Sequence, residues 1–300
     1  MKVLSIGEVL WDIFPDQDFL GGAALNVCAN LRRCGDEAVL VSAIGNDVRG
    51  HRALELMQTL ELPITFMKMI EGRPTGTATV ESGPDCESVF TIHRPAAFDA
   101  IELSQLEIAR IQSFAPNWLY MGTLLQTEPA IETLIRNLLQ RLPEVRCFYD
   151  MNLRTGHWNL SLVERLCTLA SILKLNEKEA EALAAQNGLY PEQFSLESFC
   201  FDWAKRFAID VICVTSGPDG CCIYAEGKVE RFRGCSIEVS DTVGAGDAFA
   251  AGFLHGYNQG WPISKCSAFA NALGALVASR PGATPAWCME ECYALSDPRM

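Results

Sequence analysis

Residues 240–256 read Ser-Asp-Thr-Val-Gly-Ala-Gly-Asp-Ala-Phe-Ala-Ala-Gly-Phe-Leu-His-Gly, an order of residue types that can hold an anion next to a base. Thr242-Val243 closes an extended run, Gly244-Ala245-Gly246 forms a turn of small residues, and Asp247 falls in the first turn of the following helix. Small residues at a helix N-terminus leave backbone N–H groups open to a phosphate, and the helix dipole favours negative charge there. A carboxylate beside such a hole can accept the proton of an attacking hydroxyl, as in phosphoryl transfer. Local physics allows a plainer reading as well, in which Asp247 caps the helix and the glycines only turn the chain. No Gly-x-x-x-x-Gly-Lys-Ser/Thr pattern occurs, which excludes a P-loop enzyme.

The elements that must position these residues are legible in the hydrophobic periodicity. Val3–Ile6 is a short apolar strand, Ala24–Arg33 a helix stopped at Gly35, Val39–Ile44 a buried strand and Arg49–Leu60 a helix. Such β-α-β-α alternation marks a parallel sheet covered by helices. Runs at 64–70, 77–81 and 88–92, split by Gly72-Arg73-Pro74 and Ser82-Gly83-Pro84-Asp85, predict antiparallel hairpins, a β-rich flap. The α/β rhythm then resumes through strands at 118–121, 146–149, 172–175 and 211–215 and helices at 130–141, 163–170, 178–185 and 196–207. A hairpin at 221–232 and two helices, 247–257 and 263–279, follow. Ligands of open parallel sheets bind beyond the carboxyl ends of the strands. Asp12, Asp150-Met-Asn152-Leu-Arg154, Asn176-Glu-Lys-Glu179, Thr215-Ser-Gly217 and the opening stretch all fall at such ends.

Composition narrows the function classes. A net charge of −13 over 300 residues, without a Lys/Arg run, argues against nucleic-acid or anionic-membrane partners, which demand clustered cations. The first residues, Met1–Phe14, carry Glu8 and Asp12 among apolar residues and read as an opening strand instead of a signal peptide. The apolar stretch around 268–278 is too short for the ~20 residues of a membrane span. Thirteen scattered cysteines with no Cys-x-x-Cys spacing indicate reduced thiols and a cytoplasmic setting. Four histidines far apart in sequence give no histidine metal site.

Asp241-Thr-Val-Gly-Ala-Gly-Asp-Ala-Phe249 resembles the C-terminal signature of the ribokinase-like (PfkB-type) carbohydrate kinases. Gly21-Gly-Ala-Ala-Leu-Asn26, with the helix ending Leu31-Arg-Arg-Cys-Gly35, is similar to the family's N-terminal signature, and Asn176-Glu-Lys-Glu179 to its Asn-x-x-Glu motif. The resemblance spans almost the whole chain in the family's order. It implies one α/β domain over 1–300, a three-layer sandwich with a mostly parallel central sheet, and a small β lid from about 13–21 and 64–93. It further implies an ATP-dependent phosphotransferase with Asp247 as the base and the amides of Gly244, Ala245 and Gly246 as the anion hole. Thr242 would lie beside the nucleotide phosphates, Thr215, Gly217 and Gly220 would line ATP, and Asn271 would lie near the adenine. Glu179, with Asn176, would organise Mg²⁺ through water. Asp241, the Val243 carbonyl and the 277–282 backbone would hold K⁺, although Ala286 stands where relatives have a hydroxyl ligand.

On the sugar side, Asp12, Gly21, Gly22 and Asn26 match positions that bind substrate hydroxyls. Ala23 stands where ribokinases tend to carry Lys, which weakens a ribose reading. Asp150-Met-Asn152-Leu-Arg154 with Trp158 resembles the Asp-x-Asn-x-Arg…Trp pattern of fructokinases and 2-keto-3-deoxygluconate kinases. Arg154 can clamp a carboxylate or orient a hydroxyl, and Arg94 is a second candidate cation with a surface salt bridge as the alternative. Fructose is the expected acceptor. The alternatives are 2-keto-3-deoxygluconate, ribose or a nucleoside, or a non-catalytic relative that binds nucleotide or sugar. Only the eight residues Ile13–Leu20 separate Asp12 from Gly21, where relatives have more. A small flap built mostly from 64–93 follows, and with it doubt about a homodimer formed by interleaved flaps.

Overall fold

In a computed structural model, which describes residues 1–82 and 88–296, the chain opens with β1 (Lys2–Ile6) and a short hairpin, β2 (Leu10–Ile13) and β3 (Asp18–Gly21). The hairpin closes through a tight turn in which the Phe14 amide donates to the Gln17 carbonyl. Next come α1 (Ala23–Arg33), β4 (Glu37–Gly45), α2 (Val48–Thr59), β5 (Phe66–Ile70), β6 (Gly76–Ser82) and β7 (Ser88–His93). The alternation continues as α3 (Gln105–Phe114), β8 (Trp118–Gly122), α4 (Pro129–Arg141), β9 (Arg146–Asp150), α5 (Leu160–Cys167), β10 (Ile172–Asn176) and α6 (Glu177–Gln186). It ends with α7 (Leu196–Phe207), β11 (Val211–Thr215), β12 (Cys221–Ala225), β13 (Lys228–Phe232), α8 (Ala245–Asn258), α9 (Ile263–Ala278) and α10 (Met289–Ser296).

Nine strands form the main sheet in the order β13-β12-β11-β10-β9-β8-β1-β4-β5. All its pairings are parallel except β11–β12 and β12–β13. Side chains alternate across the sheet, and β11 displays the rule: Ile212 and Val214 pack on one face, Val211 and Cys213 on the other. The first face carries α3 to α7, through residues such as Ile111, Ile135, Leu166, Leu183 and Trp203. The second carries α1, α2, α8 and α9, through Leu25, Leu31, Met57, Phe253 and Ala270. Helices on both faces of a mostly parallel sheet make the expected three-layer sandwich.

A second sheet, β3-β2-β6-β7, stands apart from the first. Its make-up corrects two expectations. Residues 66–70 do not join the flap: β5 pairs in parallel with β4 at the edge of the main sheet, because Phe66 is buried in the main core. A four-residue turn lets Leu10–Gly21 supply two of the four strands, beside the longer β6 and β7 from within 64–93. Asp12 therefore lies on a strand of this sheet and not on a loop past β1. Most of the expected turn at 82–85 lies outside the described residues. Helices α3 and α10 have no counterpart in the periodicity reading. For α3 the signal was present as a capping box, with Ser104 and Glu107 exchanging side chain-to-backbone bonds. The twelve described cysteines form no disulfide and ten are buried. Among the described residues no helix is long and apolar enough to cross a membrane.

Candidate active site

The glycine turn at α8 is fixed by backbone geometry. Gly244 caps the helix in the left-handed region at φ 78°, and a Cβ there would meet the Ala283 carbonyl oxygen at 2.5 Å. Asp241 clips the turn to the loop that follows α9: its Oδ1 accepts the Val243 amide and its Oδ2 the Gly282 amide, both at 3.0 Å. Of the three expected anion-hole amides, that of Ala245 makes a long bond of 3.3 Å to the Thr242 carbonyl. Gly246 lies in the first turn of α8, where N–H groups lack intrahelical acceptors. Thr242 is exposed beside them.

Asp247 follows in the first turn of α8 and is buried. Its Oδ2 accepts a 2.8 Å hydrogen bond from Asn26 Nδ2 of α1. The Asn26 Oδ1 atom is itself buried and has no partner among the described residues. The two glycines before α1 let acids approach it. A Cβ on Gly21 would lie 2.4 Å from Asp12 Oδ2, and one on Gly22, at φ 119°, would lie 2.1 Å from the Glu8 carbonyl oxygen. Helix α1 has no side-chain cap of its own, and Glu8 supplies one from a distance by accepting the Ala23 amide at 3.1 Å.

Asp247, Asp12 and Glu8 thus form a buried acidic cluster. Burial pushes each carboxyl above its ordinary range, Asp12 to about 7. For Asp247, the charge of Asp150 adds to burial, while Lys174, the Asn26 bond and Arg154 pull the other way. A carboxyl poised above its usual value, beside helix N–H groups, is what a general base at neutral pH requires.

The two arginines fare differently. Arg154, in the loop after β9, stacks 4.9 Å over the ring of Phe90 on β7 and draws down the acids Asp12, Glu8 and Asp247. It joins the small sheet to the acidic cluster. Arg94 pairs with Asp99 at 2.5 Å and Glu128 at 3.1 Å, and also donates to Thr127 and the Leu124 carbonyl. Its guanidinium is committed to protein acceptors, so the salt-bridge alternative describes it and a free cation does not. It lines a cavity of about 520 Å³ beside Trp158 and Arg165 whose arginines are both paired with glutamates.

The residues expected around a nucleotide gather at the carboxyl ends of β10 and β11. Asn176 and Glu179 form a capping box on α6: Glu179 Oε2 accepts the Asn176 amide at 2.8 Å, and Asn176 Oδ1 accepts the Glu179 amide at 2.9 Å. Glu179 Oε1 also accepts the Leu153 amide at 2.6 Å, which ties α6 to the Arg154 loop. Thr215 ends β11, Gly217 and Gly220 turn with φ of 55° and 101°, and a Cβ on Gly220 would lie 2.1 Å from the Phe232 carbonyl oxygen. Asn271 of α9 closes this side by donating to the Arg233 carbonyl at 3.0 Å.

Two residues escaped the sequence reading. Glu8 reads as part of the opening strand, and its capping role emerges only when α1 is seen to lack a cap. Lys174 interrupts the apolar strand Ile-Leu-Lys-Leu, and a lysine inside a buried strand was the available signal. Its Nζ contacts both oxygens of Asp150 at 3.0 and 3.1 Å.

A profile of the pfkB family carbohydrate kinases matches residues 15–290. The fructokinase of Escherichia coli is 28% identical over 272 residues, 86% of this chain and 85% of that protein. The fructokinase structure from Vibrio cholerae O395, with fructose, ADP and calcium, superposes with a TM-score of 0.82 at 22% identity over 99% of both chains. The 2-dehydro-3-deoxygluconokinase of Thermotoga maritima superposes with a TM-score of 0.81 at 20% identity, covering 99% of this chain and 98% of that one. With the matched segment holding the Gly-Gly turn, the Asp247 helix and the strand ends between them, the chain belongs to the pfkB family of carbohydrate kinases, phosphotransferases that act on sugar hydroxyls.

Proposed function

We propose that this carbohydrate kinase transfers the γ-phosphoryl group of ATP to a hydroxyl of a neutral sugar, fructose first among them. The observation that carries the reading is the buried Asn26–Asp247 pair at the N-terminus of α8, set beside the buried Asp12 carboxyl and the Asn26 Oδ1 atom, which has no partner among the described residues. Acceptors of this kind suit the donor hydroxyls of a polyol, and bind them best when nothing else satisfies them.

In the reaction so read, Asp247 accepts the proton of the attacking sugar hydroxyl while that hydroxyl's oxygen bonds to the γ-phosphorus and the bond to the ADP leaving oxygen breaks. Products are the sugar phosphate and ADP. The N–H groups at the start of α8 stabilise the charge on the transferred group. Arg154 and Phe90 hold the small sheet over the sugar, a lid that excludes water. The whole chain, 1–300, works as one catalytic unit. Magnesium, held at Glu179 through water and otherwise by the nucleotide phosphates, would neutralise phosphate charge. The Asp241 oxygens each carry one backbone amide, so a potassium ion there would use their second lone pairs and the Val243 carbonyl.

The acid sugar 2-keto-3-deoxygluconate is the second reading, because Arg154 can meet a carboxylate. The engagement of Arg94 by two carboxylates, and of Lys174 by Asp150, leaves Arg154 to face the acids Asp12, Glu8 and Asp247 and favours the neutral acceptor. A panel of fructose, ribose, 2-keto-3-deoxygluconate and nucleosides, each with ATP and read as ADP release, tests the assignment. Fructose is expected to give the highest kcat/KM. A higher value for the acid sugar would overturn the neutral-sugar reading, and ATP binding without turnover of any acceptor would favour a non-catalytic sensor.

A further inference from the structure

On the sheet face that carries α8, the register partners Asp150 of β9 and Lys174 of β10 form a polar rung beyond an otherwise apolar layer. Tyr120 of β8 points to the same face one rung earlier, paired with Phe148 of β9, which is in turn paired with Ile172 of β10. The Tyr120 hydroxyl donates to Asp150 Oδ2 at 3.0 Å, and the Lys174 ammonium contacts both Asp150 oxygens. All three side chains are buried. A Cβ placed on Gly246 would lie 3.1 Å from Lys174 Nζ, which sets the ammonium against the first turn of α8, one residue before Asp247. A buried ion pair is a poor source of stability, since desolvation offsets most of the attraction. Its place under the base calls for another reason.

We infer that Lys174 is a positioning residue that holds Asp247 in its proton-accepting, ionised form, with Asp150 as the counterweight that keeps the ammonium in place. The inference rests on the reading of Asp247 as the base. Facing Asp247 are Glu8 before β2, Asp12 on β2, Asp150 on β9 and the cations Lys174 on β10 and Arg154 after β9, with Asn26 of α1 bonded to it. The carboxylates disfavour ionisation of Asp247, and of the two cations Lys174 opposes them more strongly. Burial works against the charge of Lys174, yet Asp150, Asp247 and Glu179 together hold the ammonium above its usual range, so it stays charged throughout the working pH. Removing the ammonium must therefore raise the pH at which Asp247 gives up its proton. Removing the Asp150 charge must lower it.

The test is the pH profile of kcat at saturating fructose and ATP for the wild type, Lys174→Met, Asp150→Asn and Lys174→Arg, with ADP affinity measured by calorimetry. The acidic limb is expected to move up by about one unit in Lys174→Met and down in Asp150→Asn. Lys174→Arg should return it to within about 0.3 units, and ADP affinity should change less than about threefold throughout. A limb that stays fixed in both variants while kcat falls equally at every pH would overturn the inference and leave Lys174 a packing residue. Should Lys174→Met fail to fold, with Asp150 stranded, the opposite shift in Asp150→Asn and the Lys174→Arg profile still decide. An Asp247→Asn profile run alongside separates the two failures: if that variant keeps full activity, the base assignment itself is wrong.

Discussion

Asn26 on α1 and Asp247 on α8 lie 221 residues apart in sequence and share a buried hydrogen bond of 2.8 Å. The bond joins the Gly-Gly turn, which would admit the sugar, to the helix N-terminus that would receive the phosphoryl group. It also fixes the amide orientation of Asn26: with Nδ2 on the carboxylate, Oδ1 faces away as an acceptor in need of a donor.

Asn26→Ala should lower kcat/KM for the sugar by about 10- to 100-fold, the range of a hydrogen bond to a charged group. Because that bond favours the ionised carboxyl, its loss should also move the acidic limb of the pH profile upward. Steady-state kinetics between pH 5 and 9 checks both, and an unchanged limb would dissociate Asn26 from the base.

Asp12 should make the chain less stable as the medium becomes alkaline. The folded protein holds the Asp12 proton up to about 7, against 3.8 for the ordinary side chain. Its contribution to stability is thus complete below about pH 4 and lost as pH rises through about 7, on the order of 4 kcal/mol at most. Asp12→Asn should therefore melt higher than wild type at pH 8, with a smaller advantage at pH 5, while losing about 100-fold in sugar kcat/KM. Equal melting differences at the two pH values would contradict the buried placement of Asp12.

Gly244→Ala should both destabilise and inactivate. The positive φ and the 2.5 Å approach of a Cβ to the Ala283 carbonyl leave no room without moving the α8 turn. A loss of about 2–4 kcal/mol is expected, seen as a drop of several degrees in Tm. Wild-type activity in this variant would show that the turn can shift freely.

Phe90→Ala removes the ring on which Arg154 rests. A cation–π contact of about 0.5–2 kcal/mol predicts a roughly 3- to 30-fold rise in KM for the sugar, with nucleotide affinity unchanged. Equal weakening of both substrates would place the small sheet outside the sugar site.

Much of the fold could be read from apolar runs bounded by turn residues: strands 211–215, 221–225 and 228–232 agree residue for residue. The misreadings arose where local pattern is mute about partners. Residues 66–70 look like any short strand, and only the burial of Phe66 in the main core distinguishes a sheet edge from a flap. The short Ile13–Leu20 segment suggested a reduced flap because the tightness of the Phe14–Gln17 turn is set by backbone geometry. In the candidate site, Gly244 and Asp247 stood out as small residues and a carboxylate at a helix start, and Gly21, Gly22 and Asn26 through their resemblance to the family's N-terminal signature. Glu8 and Lys174 were not, since their roles depend on neighbours supplied by other elements: the uncapped α1 for one, Asp150 across β9–β10 for the other. Arg94 was legible as a cation, while the acids that neutralise it come from the segment after β7 and the start of α4.

The central claim, that Asp247 is the base of a sugar kinase, is tested most directly by the turnover of Asp247→Asn with fructose and ATP, measured together with ADP affinity. The expected kcat is lower by about 10³-fold or more, with ADP binding within about threefold of wild type, because the carboxamide keeps the Asn26 contact and the turn while losing the proton acceptor. Retention of more than about a tenth of the wild-type kcat would contradict that claim.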